Sequence, residues 1–267
     1  MRRKTIKRKR RKGGDALHAH VAAIFSNFEI KRTKEFIQIQ LIGCAEQQKH
    51  PKGYSPRIEI INDHMYIARL SSCAPLTGAE LIHRFIELAR RLEIHTIHVD
   101  DGSEIYFPRT RYGDSHCKID LAILRILQKG QSWYESFGFV PHLTAKDREH
   151  NEHVRHMPFR DFIAWVKQVE QQEALDRVER RFQYHQNTAQ RNREMKEAYG
   201  HSSILEGLSE DAPVYYAIQK MVDRVNAEGE AACESDTFKM LQKIIEICTL
   251  TDDPIIRYKI DDLTLML

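Results

Sequence analysis

The chain has 267 residues, 42% of them hydrophobic, with 41 lysines and arginines against 38 aspartates and glutamates and a formal net charge of +3. That length is enough to bury a real core, in one large or two modest domains. No apolar run approaches the roughly 20 residues that a membrane helix needs, and the start lacks the apolar stretch of a secretory signal. The expectation is therefore an intracellular protein with no membrane partner, in the cytosol, the nucleus or a virion.

The net charge describes neither end of the chain. Nine of the first twelve residues are basic: Arg2, Arg3, Lys4, Lys7, Arg8, Lys9, Arg10, Arg11 and Lys12. No acid occurs before Asp15, and Gly13-Gly14 supplies a joint. Without those nine, 32 basic residues face 38 acidic ones, a net of −6. A run of like charge with almost nothing apolar to bury stays unfolded, so residues 1–14 are predicted to form a disordered arm. Such an arm suits nucleic acid, an acidic protein surface or an import receptor, because all three read the same charge.

In chain order, Asp15–Asn27 is predicted as a short helix with Leu17, Val21, Ala22 and Ile24 inward. Glu35–Ile42 alternates as a strand, with Ile37, Ile39 and Leu41 on one face. Arg57–Ile61 and Met65–Leu70 flank Asn62-Asp63-His64 and read as a hairpin. The clearest helix is Gly78–Glu93, with Leu81, Phe85, Leu88 and Leu92 on one stripe. Strands follow at Ile94–Val99 and Glu104–Phe107. Next come a helix at Asp120–Gln128, ended by Gly130, and a short aromatic helix at Ser132–Phe137 that turns at Gly138 into Phe139-Val140. After Asp147 the pattern turns helical, with no convincing strand until the last few residues. One long helix is expected from Phe162 to Phe182, a polar stretch from Gln186 to Ser203, and amphipathic helices at Val214–Val225 and Thr237–Cys248. Asp211 is the expected cap of the first of these two, and Ser235 or Asp236 of the second. The expected organisation is an arm (1–14), a mixed α/β domain with helices flanking its sheet (15–146), and a helical C-terminal region (147–267). The apolar stripes of the C-terminal helices would serve the α/β domain or a protein partner.

Five cysteines at long spacings, with no C-x-x-C, predict reduced, mostly buried thiols. Among the 14 histidines, His150, His153 and His156 recur every third residue and drift around a helix; His95 and His98 fall on opposite faces of a strand. No metal site is expected from them. Trp133, Tyr134, Phe137 and Phe139 read as core, since no basic residues interleave with them.

One segment carries a resemblance. A strand (Met65–Leu70) precedes Thr77-Gly78-Ala79-Glu80-Leu81-Ile82 at the start of a helix, which leads to the strand Ile94–Val99. Further on stands Trp133-Tyr134-Glu135-Ser136-Phe137-Gly138-Phe139. Residues 56–141 resemble the GNAT superfamily of acyl-CoA-dependent N-acyltransferases, and in pattern the GNAT-like proteins encoded by large DNA viruses. The resemblance implies that Thr77, Gly78 and Ala79 lie where the family cradles the cofactor's pyrophosphate. It also implies that Tyr134, four residues before Gly138-Phe139, lies where the family protonates the departing thiolate. Acetyl-CoA would be the cofactor of an active enzyme. Asp100, Asp101 and Glu104, the acids clustered near the expected cleft, are then the candidate bases; their other reading is a solvated turn.

The sequence departs from the family's (Gln/Arg)-x-x-Gly-x-(Gly/Ala). With Gly78 as the last glycine, Leu76 and Cys73 replace the earlier glycine and the polar lead. With Gly78 as the earlier one, Pro75 and Glu80 replace the lead and the last. The second register sets a carboxylate beside phosphates, and in both Pro75 removes a donor. The expectation is a GNAT-like scaffold without cofactor, tethered by its arm in a structural or packaging role. The alternative is an active N-acyltransferase on an amine.

Overall fold

The computed structural model describes residues 16–42, 55–70, 76–107, 117–182, 209–249, 254–258 and 263–267. The basic arm and the polar stretch 186–203 lie outside the described residues, as do Cys73 and Pro75 of the expected cofactor loop. The chain divides into two compact units. The first comprises Met1–Asp101, Phe137–Pro141 and Asp261–Leu267; the second comprises Gly102–Ser136 and His142–Ile260. The boundary expected at 146/147 is therefore not where the chain divides. Strand Glu104–Tyr106 and the helix after Asp120 belong with the helical residues, and the last residues return to the sheet.

The first unit is a mixed α/β body. Residues 16–22 (α1) are helical, with Leu17 and Val21 buried. Six strands follow: β1 (Phe28–Arg32), β2 (Ile37–Leu41), β3 (Arg57–Ile61), β4 (His64–Arg69), β5 (Thr96–Val99) and β8 (Leu263–Met266). Their order in the sheet is β1-β2-β3-β4-β5-β8. Neighbours run antiparallel except β4 and β5, which are parallel and joined through α2 (Gly78–Arg91).

The β3–β4 connection shows how residue type sets register. Asn62 and Asp63 both have positive φ, 46° and 64°. Such residues tolerate the left-handed region and make the two-residue turn whose twist matches a hairpin. His64 thus leaves the expected turn and becomes the first residue of β4. Alternation then divides the sheet into two faces. Ile39, Leu41, Ile58, Met65, Ile67, Ile97, Val99 and Leu263 are buried. The other face carries Gln38, Glu59, His64, Tyr66, Thr96, His98 and Thr264. Helix α2 buries Leu81, Ile82, Phe85, Ile86, Leu88 and Ala89. At about 1.5–3 kcal/mol for each large side chain, that stripe rather than helix propensity holds α2 in place.

The second unit is helical, with a two-stranded hairpin of β6 (Glu104–Tyr106) and β7 (Lys118–Asp120). Asp120 caps α3 (Leu121–Lys129) by accepting the Ile123 N–H at 3.0 Å. Gly130 ends α3 at φ 79°, and a Cβ there would collide with the Glu152 and Arg155 side chains, so glycine is required twice over. Then come α4 (Ala145–His156), α5 (Phe159–Phe182), α6 (Val214–Ala227) and α7 (Asp236–Ile247). Ser235 caps α7, accepting from Phe238 N–H. Asp211 does not cap α6; it pairs with Arg160 at 2.6 Å, and Pro213 opens that helix. Phe162, Val166, Ala217, Ile218, Phe238, Leu241 and Ile244 form the middle of one apolar cluster. In the same unit, the buried Asn151 holds the chain at Arg257. Its amide donates to Arg257 O at 2.8 Å and its carbonyl accepts Arg257 N–H at 2.9 Å, which satisfies both backbone groups.

The cysteines correct the sequence expectation. Cys117 and Cys233 form a disulfide within the second unit, with Cα atoms 5.1 Å apart and a sequence separation of 116. Cys248 stays a buried thiol, and burial pushes its pKa up.

Candidate functional site

The expected pyrophosphate cradle is the N-terminus of α2. A helix start offers unpaired N–H groups and a positive dipole end, which is why anions gather there. Here the chain supplies its own anion. Thr77 accepts the Glu80 N–H at 3.2 Å. The Glu80 carboxylate in turn accepts the Thr77 N–H at 2.7 Å and the Thr77 hydroxyl at 2.9 Å. This capping box places a negative charge at the end of the helix where the resemblance implies a diphosphate. The two Thr77 hydrogen bonds, with Arg84 adding a smaller effect, hold the Glu80 carboxyl below the usual carboxylate range.

α4 is closed in the same way. The Asp147 carboxylate accepts the Thr144 hydroxyl at 2.7 Å and the Thr144 N–H at 3.0 Å, and its pKa is likewise lowered. A carboxyl whose folded pKa is depressed stabilises the fold above its ordinary value and loses that contribution as pH falls through the folded one. Both boxes are thus intact at neutral pH and open only in acid, below the ordinary carboxylate range. An NMR titration of the Glu80 carboxyl should show its midpoint return toward the ordinary glutamate value in Thr77→Ala. An unchanged midpoint would mean that the cap does not set it.

Tyr134 lies on the short 3-10 helix Tyr134–Phe137 and is buried, with its ring edge-on to Trp133 at 4.9 Å. It belongs to the second unit, whereas Thr77, Gly78, Ala79, Gly138 and Phe139 belong to the first. Phe139 is core, as the sequence suggested, and Phe137 meets the His83 ring edge-on. The three candidate acids are not one solvated turn. Asp101 is fully buried, Asp100 is exposed, and Glu104 sits on β6 in an ion pair with Lys118.

The open sheet face carries a cluster that the sequence did not bring together. His64 on β4 and His98 on β5 place Nδ1 and Nε2 3.0 Å apart. Tyr66 stacks on the His98 ring, centroids 4.8 Å apart and planes within 14°. Thr264 on β8, the cross-strand partner of His98, brings its hydroxyl to 3.4 Å from His98 Nδ1. His95, by contrast, precedes β5 and is exposed. On α4, His150 Nε2 meets the Ile255 carbonyl and His156 Nδ1 the Glu152 carbonyl, so both rings contact backbone carbonyls. Among the described residues, no three His, Cys, Asp or Glu side chains are grouped to hold a metal ion. Nor is any described helix long and apolar enough to cross a membrane.

The signal for the His64–His98 pair was half legible. A two-residue turn at Asn62-Asp63 puts His64 on the same face as Tyr66, but the parallel register that brings His98 alongside is not written locally. Compared with known protein families, with curated proteins and with solved structures, the chain matches none.

Proposed function

We propose that this protein is a non-catalytic, GNAT-like scaffold that attaches to nucleic acid or another polyanion through its basic arm, in a structural or packaging role. The observation that carries the reading is the Glu80 carboxylate at the start of α2, bonded to both the N–H and the hydroxyl of Thr77. A diphosphate placed there would meet like charge and would have to displace both bonds. Parallel β4 and β5 joined through α2 support the GNAT-like part of the reading, since the resemblance rests on that strand–loop–helix unit. The burial of Tyr134 supports a core role over proton delivery to a leaving thiolate. The arm supplies the attachment: nine cations in twelve residues, ahead of a remainder with a net charge of −6.

The alternative is an active N-acyltransferase using acetyl-CoA. An amine would attack the thioester carbonyl, a carboxylate base among Asp100, Asp101 and Glu104 would take the amine proton, and Tyr134 would protonate the departing thiolate. Binding of duplex DNA by the full chain and by residues 15–267 tests the attachment role. The full chain is expected to hold the duplex at low salt and the shortened chain to release it. Equal retention of both would remove the arm from the account.

A further inference from the structure

The geometry points to a transition-metal site on the open face of the sheet, with His64 Nδ1 and His98 Nε2 as its two protein ligands for a divalent ion of the zinc, nickel or copper kind. The two nitrogens lie 3.0 Å apart on neighbouring parallel strands. Two imidazole nitrogens bound to one tetrahedral zinc ion, each at about 2.0–2.1 Å, stand roughly 3.3 Å apart. The observed separation is thus within a few tenths of an ångström of the one a shared metal ion requires.

Two further contacts prepare His98 for this role. If its Nδ1–H donates to Thr264 Oγ1, at 3.4 Å, Nε2 becomes the basic nitrogen facing His64. Metal-binding histidines characteristically fix their tautomer by such an outward hydrogen bond. The Tyr66 ring, stacked at 4.8 Å, covers one face of His98 and limits its rotation. Both histidines are only partly buried, so an ion reaches them from solvent and water fills its remaining positions. Imidazole is a good ligand for zinc, nickel and copper and a poor one for magnesium or calcium, which sets the class of ion. A carboxylate on this face, Glu59 opposite Tyr66, is paired with Arg57 at 3.5 Å.

The test is calorimetric titration of the full chain with zinc chloride at neutral pH, beside His64→Ala, His98→Ala and His153→Ala. His153 is an exposed α4 histidine outside the pair and serves as the control. The wild type and His153→Ala are expected to take up one equivalent more than either of the other variants. Equal uptake by all four overturns the proposal. A second measurement needs no variant. Substoichiometric nickel added to the wild type should broaden the imidazole C–H resonances of His64 and His98 before those of the other histidines; broadening that begins elsewhere overturns it as well.

Discussion

Cys233→Ser is expected to lower the unfolding temperature of the helical unit by roughly 4–20 °C. The bond it removes, to Cys117, closes a separation of 116 residues. In the chain-entropy account, a loop of that size is among the most costly to leave open when the chain unfolds. The typical loss is about 2–5 kcal/mol, and each kcal/mol moves the midpoint of a unit this size by about 2–4 °C. Cys233 is the better position to change because it is half-buried, so a serine hydroxyl there still reaches water, whereas Cys117 is 1% exposed. Calorimetry with and without reductant checks the effect. Reductant should destabilise the wild type toward the variant and leave the variant where it is. If the two melt alike without reductant, the bond is absent or carries no stability.

The second large effect concerns the arm. If most of its nine cations reach phosphates, log K for duplex DNA should fall with log salt at a slope of about −5 to −8. Raising salt from about 50 to 200 mM would then weaken binding on the order of 10³-fold or more. Binding should be indifferent to base sequence, because phosphate contacts carry no sequence information. Removing residues 1–14 should abolish both the binding and its slope. A steep slope in the shortened chain would place the contacts on the folded body, against its net charge of −6.

Much of the fold was legible from local chemistry. β2 followed from the alternation of Ile37, Ile39 and Leu41, and α2 from a stripe at helical spacing that is buried as expected. The Asp120 cap and the Gly130 stop marked α3 at both ends. What escaped notice was short, polar or non-local. β1 offers only Phe28 and Ile30 as apolar residues, both half-buried at the edge of the sheet. α4 is almost wholly polar, with Asn151 and Val154 its buried residues, so periodicity gave no signal. A strand at the last few residues was legible, but not the pairing of β8 with β5 some 170 residues earlier, as Thr96 opposite Met266 shows. Non-local pairing also explains the two site-level surprises. Cys117 meets Cys233, and His64 meets His98, through topology that no local window contains. The cofactor loop was different: its departures were visible in sequence as Glu80, and the capping box gives that carboxylate a physical role.

That capping box is where the account is most exposed to refutation. Calorimetric titration of the full chain with acetyl-CoA at neutral pH tests it directly. With the Glu80 carboxylate occupying the start of α2, no saturable heat is expected up to millimolar ligand. One-to-one binding in the micromolar range, lost in a variant that blocks Gly78, would show that the helix end opens to a diphosphate and would restore the acyltransferase reading.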